Sequence, residues 1–173
     1  MKKFFLVLLL LPFFAFVAAD WVTVKLSDRV SVSFPSSPEE KEMSGNSVWV
    51  QDVDSNGRCM AMVVDFSKFG MDSAGLATEM AKDESFADFR QGVLGQIAGS
   101  SIISEKKGKI NGKIYFEYVI DMNKPGQPNA FSIMYSRNIF IGDKMYTLSF
   151  YEKVNKPQDK PRNKFFDSFR MHY

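Results

Sequence analysis

The sequence predicts an α+β domain behind a cleaved leader, and three observations carry that prediction. Runs with apolar residues at every second position pair around turn-forming residues such as Asn111-Gly112, which marks antiparallel β-hairpins. One central stretch instead repeats its apolar residues every three or four positions, the period of an amphipathic helix. The first nineteen residues form a separate apolar block.

Lys2 and Lys3 precede a nearly continuous apolar run over 4–19 that ends in Val17-Ala18-Ala19. A basic start, an apolar middle of about 7–15 residues and small residues at −3 and −1 define a secretory signal peptide. Cleavage is therefore expected before Asp20, giving a signal peptide over 1–19 and a single domain over 20–173. An uncleaved span is the alternative, but the run is short of the roughly 20 residues a hydrocarbon core requires. The single cysteine, Cys59, cannot carry a lipid at the new N-terminus. The mature chain is expected to be exported, periplasmic or extracellular, with no stable membrane anchor.

Within the domain, Val22, Val24 and Leu26, then Val30, Val32 and Phe34, alternate with polar residues on either side of Ser27-Asp28 and predict a first hairpin. Pro35, Pro38 and the charges of 39–42 predict a surface loop. Residues 47–53 and 59–66 predict a second hairpin around 54–57, with Met60, Met62, Val64 and Phe66 on one face and Cys59, Ala61, Val63 and Asp65 on the other. Over 73–99, Leu76, Met80, Phe86, Phe89, Val93 and Ile97 predict the main helix, with a break near 83–85 and Ser85 as a second N-cap. Gly92, Gly95 and Gly99 weaken its last turns by up to about 1 kcal/mol each relative to alanine.

Period two then returns. Residues 102–110 and 113–122 flank Asn111-Gly112, with Ile114, Phe116, Tyr118, Ile120 and Met122 on one side. Residues 131–141 and 144–153 flank Gly142-Asp143, with Phe131, Ile133, Tyr135, Ile139 and Ile141 facing one way and Tyr146, Leu148 and Phe150 completing that layer. Between these pairs, 123–128 holds two prolines and a glycine and reads as a loop. Phe165, Phe166 and Phe169 predict a short closing helix docked by its aromatics.

Composition narrows the function classes. Without the leader, 154 residues remain, enough for one domain that buries roughly two-thirds of its unfolded surface without a disulfide. The surplus of basic residues belongs to Lys2 and Lys3, so the mature domain balances 20 basic against 20 acidic side chains. That balance argues against a nucleic-acid partner.

Val32-Ser33-Phe34-Pro35, the central helix, the segment over 104–112, Lys144-Met145-Tyr146-Thr147-Leu148 and Phe165-Phe166-Asp167-Ser168-Phe169 occur in an order that resembles the PsbP-like family across nearly the whole mature chain. The resemblance implies an antiparallel β-sheet flanked by helices, an α/β/α sandwich. It also implies non-enzymatic binding or assembly work: members include an extrinsic photosystem II subunit, a Ran-binding import factor and many exported bacterial proteins. It supplies no catalytic motif, cofactor or partner interface to map here.

Candidate chemistry is sparse. Asp52, Asp54 and Asn56 with Gly57 match the first half of a calcium loop, but position 12 is Val63 rather than glutamate, and Asx-Gly turn chemistry explains the same residues. Cys59 with His172, the only histidine, would make a thiol nucleophile and base only if the C-terminal end, where chains fray, packed over the second hairpin. Carboxylate pairs, Glu117 with Asp121 or Asp83 with Glu84, would serve a small hydrolase. Lys106, Lys107, Lys109 and Lys113, and then Lys153, Lys156, Lys160, Arg162 and Lys164, form two basic clusters that suit either an anionic surface or protection of sheet edges. Most phenylalanines outside the leader fall on inward faces, and Trp21 and Trp49 are expected half-exposed.

The expected function is that of an exported, non-catalytic binding or assembly module acting on another envelope or secreted protein, with no cofactor or metal site assigned. The alternatives are a carboxylate-based hydrolase and a carrier of an apolar ligand held under the main helix. Oligomeric state stays open.

Overall fold

The structure, a computed structural model, describes residues 21–122 and 130–172. The leader over 1–19 and the expected loop over 123–128 lie outside the described residues. The main sheet has seven antiparallel strands. Taken along the chain they are β3 (Glu39–Met43), β4 (Asn46–Asp54), β5 (Gly57–Asp65), β6 (Ser101–Ile110), β7 (Lys113–Asp121), β8 (Ile133–Ile141) and β9 (Lys144–Glu152). Across the sheet their order is β3-β4-β5-β9-β8-β7-β6. A small second sheet joins β1 (Val22–Ser27), β2 (Val30–Phe34) and β10 (Arg170–Met171).

Turn chemistry fixes the hairpins. Asn111 and Gly112 both have positive φ, 48° and 76°, which is what a two-residue turn needs to match the twist of β6 and β7. At the β4–β5 turn the Asp54 carboxylate accepts from the backbone N–H of Asn56 and of Gly57, at 2.6 and 3.0 Å. The register of each pair then decides which side chains share a face.

Both faces of the sheet are covered. On one, the small sheet and helix α3 (Asp159–Asp167) bring Val30, Val32, Phe34 and Phe165 against Cys59, Ala61, Leu148 and Phe150. On the other, helices α1 (Ser73–Ala81) and α2 (Asp83–Gln96) bring Leu76, Phe86 and Phe89 against Phe116, Tyr118 and Phe140. The Phe86 ring lies 5.0 Å from that of Phe116 and stacks at 5.5 Å on that of Tyr118, whose hydroxyl donates to the Phe86 carbonyl. The helical stripe through Phe86, Phe89, Val93 and Ile97 therefore packs as its spacing predicts. Tyr146, Leu148 and Phe150 likewise complete the face that Tyr135, Ile139 and Ile141 share.

Several expectations need correction. Residues 39–43 are strand β3 rather than loop; all five are exposed, so no apolar alternation marks them, and pairing with β4 holds them. The helical stretch breaks at Lys82, whose backbone is extended, one residue ahead of the expected site. Ser85 is not a cap: its hydroxyl lies inside α2 and donates to Glu79 of α1, tying the helices together. Trp49 is buried in the first core cluster, because β4 is an interior strand covered on that face. Phe131 packs against Tyr151 on the α2 side instead of joining Tyr135, since it precedes β8 and escapes its alternation. The C-terminal stretch continues past the closing helix as β10 on the edge of β2.

Candidate functional site

The structure separates most of the residues that chemistry would need together. Asp54 is spent on its turn, and Asp52 pairs with Arg58, Nε to Oδ1 at 2.6 Å, so the Asp52-Asp54-Asn56 segment is organised as a hairpin end. Cys59 is wholly buried on β5, and burial pushes its thiol far above the ordinary range, leaving it protonated and non-nucleophilic. His172 does not fray: its N–H donates to the Arg29 carbonyl at 2.8 Å, and its ring lies 2.9 Å from the Ser31 hydroxyl. That places its ring at β2 of the small sheet, where Ser31 is its side-chain partner.

Glu117 and Asp121 sit four residues apart on one strand, about 13 Å at the strand rise, too far for either glycosidase geometry. Glu117 pairs with Arg137 at 2.8 Å, and Asp83 pairs with Lys107 at 2.9 Å. The same Lys107 ammonium donates to the carbonyls of Ala81 and Lys82, closing the end of α1. Lys106 lies over the Tyr115 ring, 5.9 Å from its centre. In the second basic cluster, Lys164 covers the Trp21 ring at 4.8 Å, and Arg162 is not a surface charge. Arg162 is largely buried, donates to both oxygens of the buried Glu152, and stacks 4.0 Å over Tyr135. Glu152 also accepts from the Tyr135 hydroxyl and the Gln158 N–H. Every oxygen of this carboxylate is engaged, which makes it a clamp holding α3 to β9.

A cleft of about 560 Å³ opens on the α2 side of the sheet. Phe86 and Phe89 cover Phe116, Tyr118 and Phe140 of β7 and β8, and the cleft lies beside them over β5, β9 and the Met134–Asn138 part of β8. One wall is the last half of α2, from Phe89 through Gly92 and Val93 to Ile97; the other reaches Met43 and Asn46 of the β3–β4 turn. Its floor is unusual for an interlayer surface. Ser136 and Asn138 of β8 lie directly opposite Ser149 and Thr147 of β9, and all four are buried. Thr147 donates to the Asn138 side-chain oxygen at 2.8 Å, while the Asn138 amide donates to the Phe116 carbonyl and to Ser136 at 3.4 and 3.3 Å. Met60 and Met62 stand beside Ser149 and Thr147 on the neighbouring strand. Burial raises the Tyr151 phenol pKa, so it stays protonated at the cleft's end, where its hydroxyl points to the Met60 sulfur at 3.8 Å. A second hollow of about 490 Å³ shares Met60 and Tyr151 and continues toward Arg58 and Phe131.

Sequence reading missed this floor. Ser136, Asn138, Thr147 and Ser149 alternate with the apolar residues of β8 and β9 and look like a solvent face; only the strand order places them inside.

Beside the cleft, two large apolar side chains face solvent. Phe69, at 74% exposure, ends a 3-10 turn over Phe66–Phe69, and Met43, at 57%, ends β3. Lys68 joins the two segments by donating to the Gly45 carbonyl at 2.8 Å. Among the described residues, no helix is long and apolar enough to cross a membrane.

Neither a protein-family model nor any curated protein sequence matches the chain. Among solved structures, the cyanobacterial PsbP (CyanoP) of Synechocystis sp. PCC 6803 is similar, with a TM-score of 0.58 and 13% identity over 89% of this chain and 94% of that one. The Saccharomyces cerevisiae Ran-binding protein Mog1p aligns with a TM-score of 0.47 and 10% identity over 88% of this chain and 95% of that one. The resemblance read from the order of elements thus holds at the level of architecture: a seven-stranded antiparallel sheet, a small second sheet and three helices among the described residues, in the fold of CyanoP.

Proposed function

We propose that the protein is an exported, non-catalytic binding or assembly module, released by cleavage before Asp20, that acts on another envelope or secreted protein. The observation that carries this reading is the exposed pair Phe69 and Met43, on segments joined by the Lys68–Gly45 hydrogen bond at the open β3 edge of the sheet. An aromatic and a thioether held in water next to an unpaired strand edge suit a protein contact, because both lose unfavourable hydration when covered. The pairing of Glu117 with Arg137 and of Asp83 with Lys107 weighs against the carboxylate-based hydrolase alternative.

The test is a photo-crosslinking residue placed at Phe69 in the full chain expressed with its own leader. The reading expects one discrete crosslinked envelope or secreted protein, lost when Met43→Ser is added. Labelling that is absent, or unaffected by Met43→Ser, contradicts it.

A further inference from the structure

We propose that the cleft between α2 and the sheet binds an uncharged, single-chain amphiphile, its apolar body along the methionines and a hydroxyl or amide head on Asn138 and Thr147. This goes beyond the protein-partner reading and does not depend on it.

The floor is the first argument. Burying hydroxyl and amide groups in an interlayer space is costly unless they are partnered, and sheets packed on helices ordinarily present apolar side chains there. On the adjoining strand of this same face the neighbouring positions are Phe116 and Tyr118, against Asn138 and Ser136. The polar group lies where the helices stop covering the sheet, within reach of whatever fills the cleft.

Its hydrogen-bond inventory specifies the head group. Thr147 spends its proton on Asn138 and keeps its lone pairs; the Asn138 oxygen accepts one bond and has capacity for another. Both bonds from the Asn138 amide exceed 3.2 Å, long for N–H···O, so a better-placed acceptor competes for them. Ser136 accepts from Asn138 and has its own proton to donate. A ligand group that both donates and accepts, a hydroxyl or primary amide, completes this set.

The methionines around that polar group specify the rest. Met60, Met62, Met134 and Met145 are unbranched and polarisable, able to fit a flexible chain. The volume of about 560 Å³ lies within the range of small-molecule sites. Among the described residues every lining side chain is uncharged, so a carboxylate or ammonium would enter without a counter-charge. The apolar-carrier alternative therefore changes: a plain hydrocarbon would use none of the floor's spare hydrogen-bonding capacity.

Calorimetric titration of the purified protein with 1-octanol, octanamide, octane and octanoate at pH 8 tests the proposal. Octanol and octanamide are expected to bind about tenfold or more tighter than octane or octanoate. Thr147→Val, which keeps the shape and removes the hydroxyl, should weaken octanamide about three- to tenfold and leave octane unchanged; Ser136→Ala supplies the same comparison should Thr147→Val fail to fold. Octane or octanoate binding as tightly as octanamide, no binding by any of the four, or unchanged octanamide affinity in the folded variants would overturn it. Failure here leaves crosslinking at Phe69 untouched, so the two readings fall separately.

Discussion

Two residues converge on the carboxylate of Asp65. Lys144 reaches Oδ2 at 2.6 Å, and Ser67 donates to Oδ1 from both its hydroxyl and its backbone N–H. The Lys144 bond, then that of the Ser67 hydroxyl, holds its pKa down to about 2. An unfolded aspartate titrates at about 3.9, so the folded state binds this proton less readily, and the stabilisation is present above that value and lost as pH falls toward 2. Urea unfolding of the protein and of Asp65→Asn should accordingly differ by a constant amount above about pH 5, and that difference should shrink progressively as pH falls toward about 2. A difference as large at about pH 2 as at about pH 6 contradicts the assignment. Glu152→Ala removes the buried carboxylate shared by Arg162, Tyr135 and the Gln158 N–H, leaves Asp159 as the acid paired with Arg162, and should cost about 2–3 kcal/mol in denaturant unfolding; a loss below about 1 kcal/mol would mean the clamp is ornamental.

Helix α2 combines two jobs, packing by its first half and lining the cleft by its second. Gly92 lies in the second half, and a methyl group added there would meet nothing within 4 Å. Gly92→Ala should therefore raise stability by about 0.5–1 kcal/mol, seen as a higher urea midpoint; a lower midpoint would show that the helix needs glycine at that position. How much of each element the sequence discloses follows from where its side chains end up. The β6–β7 hairpin is legible because Asn111-Gly112 is nearly required by two successive positive φ angles. Strand β3 is not, because a strand with every residue in water has no period-two signal to read. The helix break is legible to within a few residues from its drifting apolar stripe. The role of Ser85 is hidden, since its partner Glu79 sits on the other helix and the junction angle sets the contact. The cleft is the least legible feature, because polar residues on alternate positions read identically whether they face water or a ligand.

For the whole molecule, the interior lesson is asymmetry between the two sides of one sheet. The side under the small sheet and α3 is closed by Phe34, Phe150 and Phe165, and the Glu152–Arg162–Tyr135 cluster fastens that layer. Among the described residues, the α1–α2 side is closed over β7 and over Phe140 of β8 and opens over β5, β9 and the Met134–Asn138 part of β8. Both faces hold a buried core, and the proposed binding belongs to the side that carries the cleft. At the same scale, export from its native cell should yield a chain whose intact mass begins at Asp20; a mass that retains Met1 contradicts the leader reading.

The most direct test of that placement is methyl NMR of the methionine-labelled protein titrated with 1-octanol. The account predicts progressive shifts for Met60, Met62, Met134 and Met145, with Met171 beside the small sheet unmoved. Shifts centred on Met171, or no shift at the four cleft methionines, would contradict it.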